Sequence, residues 1–556
     1  MTNVHLGGVR GPGSRRWSDN PAFARLEEGY AAYLEAWGAW MVVHHRGAPL
    51  EMGGEEEPAV SDRLIDAREA LGRLLADLDE GALGPDDAGA LANIRASLPE
   101  LDAWPDPLLG RTFADLAPGA GIAGLASASV PPEDPETAVL RRETFDAWGA
   151  AMADLDIGGE RIDRLTLLTR LGHEADPAVR RRLFLAMEPG WRAAAGVDGA
   201  AIDESPYRRL LQSSAERWRR YGSPVDLNAA ALGLDPGTVE AALRRVLATY
   251  RQLVLGDRVV EPWDYRYELG ALDRRLDPLV PLNRLREIND RHLASLGAGP
   301  AELRIHYDIE PRPGRPVIPT AFTTGLEIPW RGAAGWQPPS AWIFATYAEG
   351  GLGNLEELLH ESGHGLHVAA TRARPAFVSW PAEQGAFVEA IADVVGWTTH
   401  EPAFIEEHLG PAVSTRDCVI ARYRTFATDA WWTLFEMELH RHPDRDPNEV
   451  WAEIAERDMG VVGHPEWAWW AHRGQLIDGP GYLANYPLGA FMVAAVRARI
   501  REVRGEWATG DPGWYAFVAD GLLRFGGSRT PRAILHDFLG GPLTADALIA
   551  DLERAG

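Results

Sequence analysis

His360, Glu361 and His364 stand in the stretch 354–370 as His-Glu-x-x-His. On a helix, residues four apart share a face, so both imidazoles can reach one ion while Glu361 projects beside them. Two imidazoles, a third protein ligand and a position left for water make the arrangement of a catalytic zinc. Glu361 is then the base that takes a proton from that water and returns it to the leaving amine. The same two histidines also fit a structural site or a solvated helix face. The apolar flank of Leu355, Leu358, Leu359, Leu366 and Val368 makes this a mostly buried helix, where unpaired charge is costly, and weighs against the solvated face.

A third ligand is expected downstream, and Glu389 is the best candidate. It lies in a second apolar, helical stretch, Gly385 to Val394, entered through a proline-rich turn around Pro375 to Pro381. Asp393, one turn later on the same face, reads either as the acceptor that fixes a ligand imidazole's tautomer or as a surface carboxylate. Further on, glycine and proline break the helix in Arg473–Tyr486, just before Tyr482 and Tyr486. Tyrosine hydroxyls can donate to an oxyanion in a dry site; the alternative is two half-buried aromatic side chains.

Helical elements are expected to position these residues. Asn20-Pro21 opens the first of them, with an aromatic stripe from Phe23 to Met41 at helical spacing. Helical patterns follow at Ser61 to about Glu80, Asp86 to Leu98, and about 136–155, 159–173, 177–195, 205–221, 236–254 and 282–296. Residues 1–19 read as a loose tail and 104–135, rich in proline, glycine and alanine, as a loop or lobe junction. Leu303–Ile309, Val317–Ile328 and Trp342–Tyr347 read as strands, which places a small sheet just before the metal helix. An exposed edge of that sheet could hold an extended peptide by its backbone. The last third is helical again, and its tryptophans read mostly as core. The fold expected is mainly α, with an N-terminal helical lobe at 1–225 and a catalytic region at 226–556.

Composition removes other classes. The 556 residues carry a formal charge of −26, which repels nucleic acid. There is no lysine, so all 55 basic residues are arginine. That excludes a Walker phosphate loop, a pyridoxal-phosphate Schiff base and a Ser-Lys hydrolase, each of which needs an amine. Cys418 is the one cysteine, so neither an intramolecular disulfide nor a cysteine zinc cluster is available. No apolar run is long enough for a membrane span and no signal peptide is read, so a cytoplasmic location without membrane partners is expected.

His360-Glu361-Ser362-Gly363-His364-Gly365-Leu366-His367 resembles the H-E-F-G-H-x-x-H helix of the thimet oligopeptidase and oligopeptidase F family of zinc peptidases, with serine in place of phenylalanine. Phe387 to Ala390 is similar to that family's third-ligand segment at the same spacing, and Pro480, Tyr482, Tyr486 and Gly489 resemble the tyrosine-rich segment of oligopeptidase F. Glu389 to Val394 is equally similar to the angiotensin-converting enzyme family. The resemblance spans roughly residues 355–490. It implies two helical lobes around a deep channel, one zinc per chain, and short peptides rather than folded proteins as substrates. By it, His360, His364 and Glu389 are metal ligands, Glu361 the general base, and Tyr482 and Tyr486 transition-state donors. One departure stands out: relatives keep a histidine seven residues before the first tyrosine, where this chain has Gln475. Either Gln475 acts as a weaker donor, or His472 takes the place. Arg473 sits where the dipeptide-removing relatives keep a basic residue for the substrate's terminal carboxylate. The activity expected is therefore a zinc-dependent oligopeptidase, with a dipeptidyl carboxypeptidase or a weakly active peptide-binding protein as alternatives.

Overall fold

A computed structural model describes residues 17–46, 57–103, 133–196, 204–310, 321–332, 335–380 and 384–556, together with Pro105, Leu109 and Phe113. Residues 1–16 of the tail, the loop at 104–135 apart from Pro105, Leu109, Phe113 and 133–135, Val317 to Thr320 of the second expected strand, and Pro381 of the proline-rich turn lie outside the described residues.

The fold is mainly α. Helices α1 (Pro21–Arg46), α2 (Glu57–Ala76) and α3 (Pro85–Ala103) pack into a unit with its own core of Phe23, Leu26, Tyr30, Leu64, Leu71 and Ile94. The side chain of Asn20 caps α1 by accepting from the amides of Ala22 and Phe23 at 3.0 and 3.3 Å. Helix α2 starts before Ser61 and stops at Ala76; the expected extension to Glu80 is replaced by a separate single turn, Glu80–Ala82, capped by Asp79. Buried Glu27 of α1 ties this unit to the rest of the chain, accepting from Arg374 Nε and Nη2 at 2.6 and 2.7 Å.

A second, larger core runs from Trp148 to Leu552. The helical patterns expected to meet near residue 157 are separated by an antiparallel hairpin, β1 (Leu155–Ile157) and β2 (Glu160–Ile162). Gly158 and Gly159 turn it with φ of 67° and 98°, values that favour glycine and match the twist of a two-residue hairpin. The single helix expected over 177–195 is two, Pro177–Leu185 and Glu188–Ala195. Pro189 in the first turn of the second has no N–H to continue the first.

The expected sheet forms from β3 (Ile305–Asp308), β4 (Phe322–Glu327) and β7 (Ser340–Phe344), with β7 central, parallel to β3 and antiparallel to β4. A small hairpin, β5 (Trp330–Gly332) and β6 (Gly335–Gln337), lies between β4 and β7 in the chain. Four helices then carry the candidate site: α4 (Leu352–Ala370), α5 (Gly385–Gly396), α6 (Thr415–Arg441) and α7 (Asn485–Arg504). Helix α4 packs on α5, and α5 and α6 both pack on α7. Trp431, Trp432, Trp451, Trp469 and Trp470 are buried together behind them, with Trp431 and Trp451 stacked at 4.6 Å. Among the described residues no helix is long and apolar enough to cross a membrane.

Candidate functional site

Helix α4 carries His360, Glu361 and His364. One ligand atom from each lies within 4.8 Å of the others. The two imidazoles are nearly perpendicular, with ring centres 4.8 Å apart. The His360 Nδ1 is 2.7 Å from Asp393 Oδ1, which reserves that nitrogen for the carboxylate and leaves Nε2 free to coordinate. Glu389 Oε2 lies 3.6 Å from this Nε2. Two ligands of one small tetrahedral ion stand about 3.3 Å apart, so this one spacing is close to that of a shared ion.

The close approach of α4 and α5 makes this possible. Gly363 faces the backbone of Ala392, and a Cβ there would come within 2.5 Å of its carbonyl oxygen. Ser362, on the far face of α4, donates to the Leu358 carbonyl and is held by Asn289 Oδ1 at 2.9 Å and Tyr307 Oη at 2.8 Å. Helix α4 is thus anchored to β3 and to helix Leu282–Ser295.

Glu361 is buried, and Thr323 Oγ1 of β4 donates to its Oε2 at 2.6 Å and to its carbonyl at 2.9 Å. β4 is an edge strand of the described sheet and lies beside the candidate base, with α1 packed against it at Gly38 and Gly325. Burial pushes the carboxyls of Glu361 and Glu389 up, partly offset by the charge of His360. Burial opposes the charging of His360, but Asp393 outweighs it and moves the imidazole to about 10. Burial, with His360 beside it, holds His364 well below its usual range. His367, the third histidine of the helix, packs on Trp380 outside this group.

Tyr482 and Tyr486 stand at the start of α7, whose first turn packs on α5: Gly489 lies against Ala386 and Ala390. Their hydroxyls are 3.4 Å apart, Tyr482 is 42% exposed, and the charge of Glu389 acts on both. Burial raises both phenols, so both are protonated donors near neutral pH. The turn before Tyr482 is clamped at Gly481, whose N–H donates to fully buried Glu436 of α6 at 2.9 Å and whose carbonyl accepts from Asn228 at 3.0 Å. Gln475 has a buried Oε1 with no hydrogen-bond partner among the described residues. His472 has its Nδ1 3.0 Å from the Trp469 carbonyl and packs against the Trp432 ring at 4.7 Å. Arg473 pairs with fully buried Asp429 at 2.9 Å and lies over Trp432.

The structure therefore groups His360, Glu361 and His364 within 4.8 Å of one another, sets Glu389 and Asp393 against the two nitrogens of His360, and leaves Tyr482 and Tyr486 within reach of the charge of Glu389. It gives Arg473 an internal partner. Thr323, Asn228 and Glu436 were not singled out from the sequence; of these, only Glu436, an acid within an apolar helix, leaves a local signal.

No protein-family model matches the chain, and no curated protein matches it. Solved structures do. The M32 carboxypeptidase from Deinococcus radiodurans R1 matches with a TM-score of 0.51 and 15% identity over 96% of this chain and 98% of that one. Trypanosoma cruzi metallocarboxypeptidase 1 matches with a TM-score of 0.51 and 14% identity over 96% and 99%. PZ peptidase A matches with a TM-score of 0.53 and 14% identity over 95% and 96%. At these identities the likeness is one of fold, extending over nearly the whole of each chain.

Proposed function

We propose that this protein is a zinc-dependent peptidase that hydrolyses short peptides. The observation that carries this reading is the group of His360, Glu361 and His364, with Glu389 on the inner and Asp393 on the outer nitrogen of His360. His360, His364 and Glu389 would hold the ion. Zinc bound there would supply a Lewis acid and an acidified water. Asp393 keeps His360 in the tautomer that coordinates. Glu361, shielded from solvent and oriented by Thr323, takes a proton from the attacking water and delivers it to the leaving amine. Tyr482 and Tyr486 donate hydrogen bonds to the oxyanion that develops on the scissile carbonyl. The edge of β4 beside Glu361 offers backbone groups to an extended peptide. That the fold neighbours are by name peptidases supports the same reading.

A second reading, trimming from the carboxyl terminus, is favoured by one observation. Arg266 lines a cavity of about 280 Å³ with Arg424, Trp432 and His472, and its side chain makes no hydrogen bond or ion pair with a described residue. It is a freer candidate for a terminal carboxylate than Arg473.

The test is mass spectrometry of a defined mixture of short peptides incubated with the protein, with a chelator, and after zinc is restored. Cuts abolished by the chelator and restored by zinc are expected, and their positions separate internal cleavage from terminal trimming. Cuts indifferent to the chelator, or no cuts by protein holding one zinc, would overturn the reading.

A further inference from the structure

The N-terminal helical unit forms one wall of a cavity that reaches the candidate metal centre. The cavity measures about 290 Å³. Trp37 of α1 and Glu100 and Leu101 of α3 line it from the N-terminal unit, Val388 and Glu389 from α5, and Trp380 lines it too. The Trp37 ring is fixed in place, since its Nε1 donates to the Leu101 carbonyl at 2.9 Å. This wall is built before any ligand arrives.

Glu100 lines this cavity with part of its side chain open to solvent while its carboxyl faces the protein, and it makes no hydrogen bond or ion pair with any described residue. Its surroundings press on its charge: burial and the carboxylate of Glu389 both push its carboxyl up. No arginine is among the described residues lining the cavity, and the chain has no lysine to send there. When Glu389 serves an ion, its charge is answered and that of Glu100 is not. With Glu389 given to the ion, Glu100 is the remaining carboxylate of a lining that is otherwise aromatic and aliphatic apart from Ser97 and Ser379, too few oxygens for a second hard metal ion, which needs six or more. Such a site suits an organic cation, whose charge meets the carboxylate while its alkyl part and its charge both favour indole faces.

We infer that Glu100 is a specificity-determining residue: it pairs with a cationic group of the bound peptide, a protonated α-amine or an arginine or lysine side chain, in the cavity walled by Trp37 and Trp380. This rests on the peptidase reading above and adds a substrate class to it. It also gives the N-terminal helices a part in choosing the substrate, although the metal ligands all come from α4 and α5.

The test measures binding, so that it does not depend on turnover. Protein carrying Glu361→Gln is titrated with one peptide in matched forms: lysine against norleucine, arginine against citrulline at each position in turn, and a free against an acetylated amino terminus. The cationic form is expected to bind about tenfold more tightly in one of these pairs, the effect of one good ion pair in a partly desolvated site. Which pair responds identifies the amino terminus or a side chain as the partner. Adding Glu100→Gln should bring that ratio close to one, and adding Glu100→Arg should reverse it. A ratio that is the same in all three backgrounds overturns the inference while leaving the peptidase reading standing. Failure of every peptide to bind overturns both.

Discussion

Asp393 Oδ1 lies 2.7 Å from His360 Nδ1, on the side of the ring away from Glu389. The carboxylate is one helical turn beyond Glu389, so a single helix face supplies both a proposed ligand and the group that would orient another. Replacing Asp393 with alanine should lower zinc affinity about 10–100-fold, because the imidazole loses its tautomer lock and part of its basicity. Competition with a calibrated chelator reads this directly. An unchanged affinity would remove Asp393 from the site.

Glu361→Gln separates holding the metal from using it. Glutamine fills the same space and can still accept from Thr323, but it cannot take a proton. Turnover is expected to fall about 10²–10⁴-fold with zinc content unchanged. Steady-state kinetics beside metal analysis checks both halves, and retained turnover would remove Glu361 as base.

Gly363→Ala tests the helix contact on which the site depends. The added methyl group meets the Ala392 carbonyl oxygen at 2.5 Å, and backbone cannot swing aside as a side chain can. The variant should lose about 1–3 kcal/mol of stability, as overpacked cores do, and bind zinc more weakly because α4 and α5 must part. Thermal unfolding of the metal-free protein isolates the packing effect. A Tm equal to that of the parent would show that the helices are not in the described contact.

Glu401, just beyond the end of α5, is held by Arg422 of α6 and by Arg497 and Arg501 of α7. Burial opposes its charge, but the three arginines outweigh burial and hold the carboxyl at about 2, below the ordinary glutamate value of 4.5. The network therefore stabilises the fold fully above about pH 4.5 and loses that contribution as pH falls toward 2. A shift of this size corresponds to about 3 kcal/mol. Glu401→Gln should cost a similar amount at pH 7, and the gap between parent and variant should shrink on acidification. A gap that is constant with pH would contradict the network.

What the sequence disclosed about the site follows the range of the interactions. His360, Glu361 and His364 were legible because their geometry is set by one helix turn. Glu389 and Asp393 were legible because a second apolar helix follows at a workable distance. Partners from elsewhere were not: Thr323 reaches Glu361 from a strand, and Asn228 and Glu436 reach Gly481 from two separate helices. Such pairings leave no periodicity. Arg473 stands by resemblance at the position of a terminal-carboxylate binder, yet its partner Asp429 lies on α6, which no local pattern connects to it. The mainly α fold and the position of the sheet were legible from periodicity, whereas the break at Pro189 and the hairpin at Gly158-Gly159 were short interruptions overridden by longer helical patterns around them.

The central claim, that His360, His364 and Glu389 hold one zinc ion, is tested most directly by elemental analysis of the purified protein beside its His364→Ala variant. One zinc per chain is expected in the parent and a loss of most of it in the variant, with the fold unchanged by circular dichroism. A parent that takes up no zinc from a zinc-containing buffer, or a variant that keeps its full complement, would contradict it.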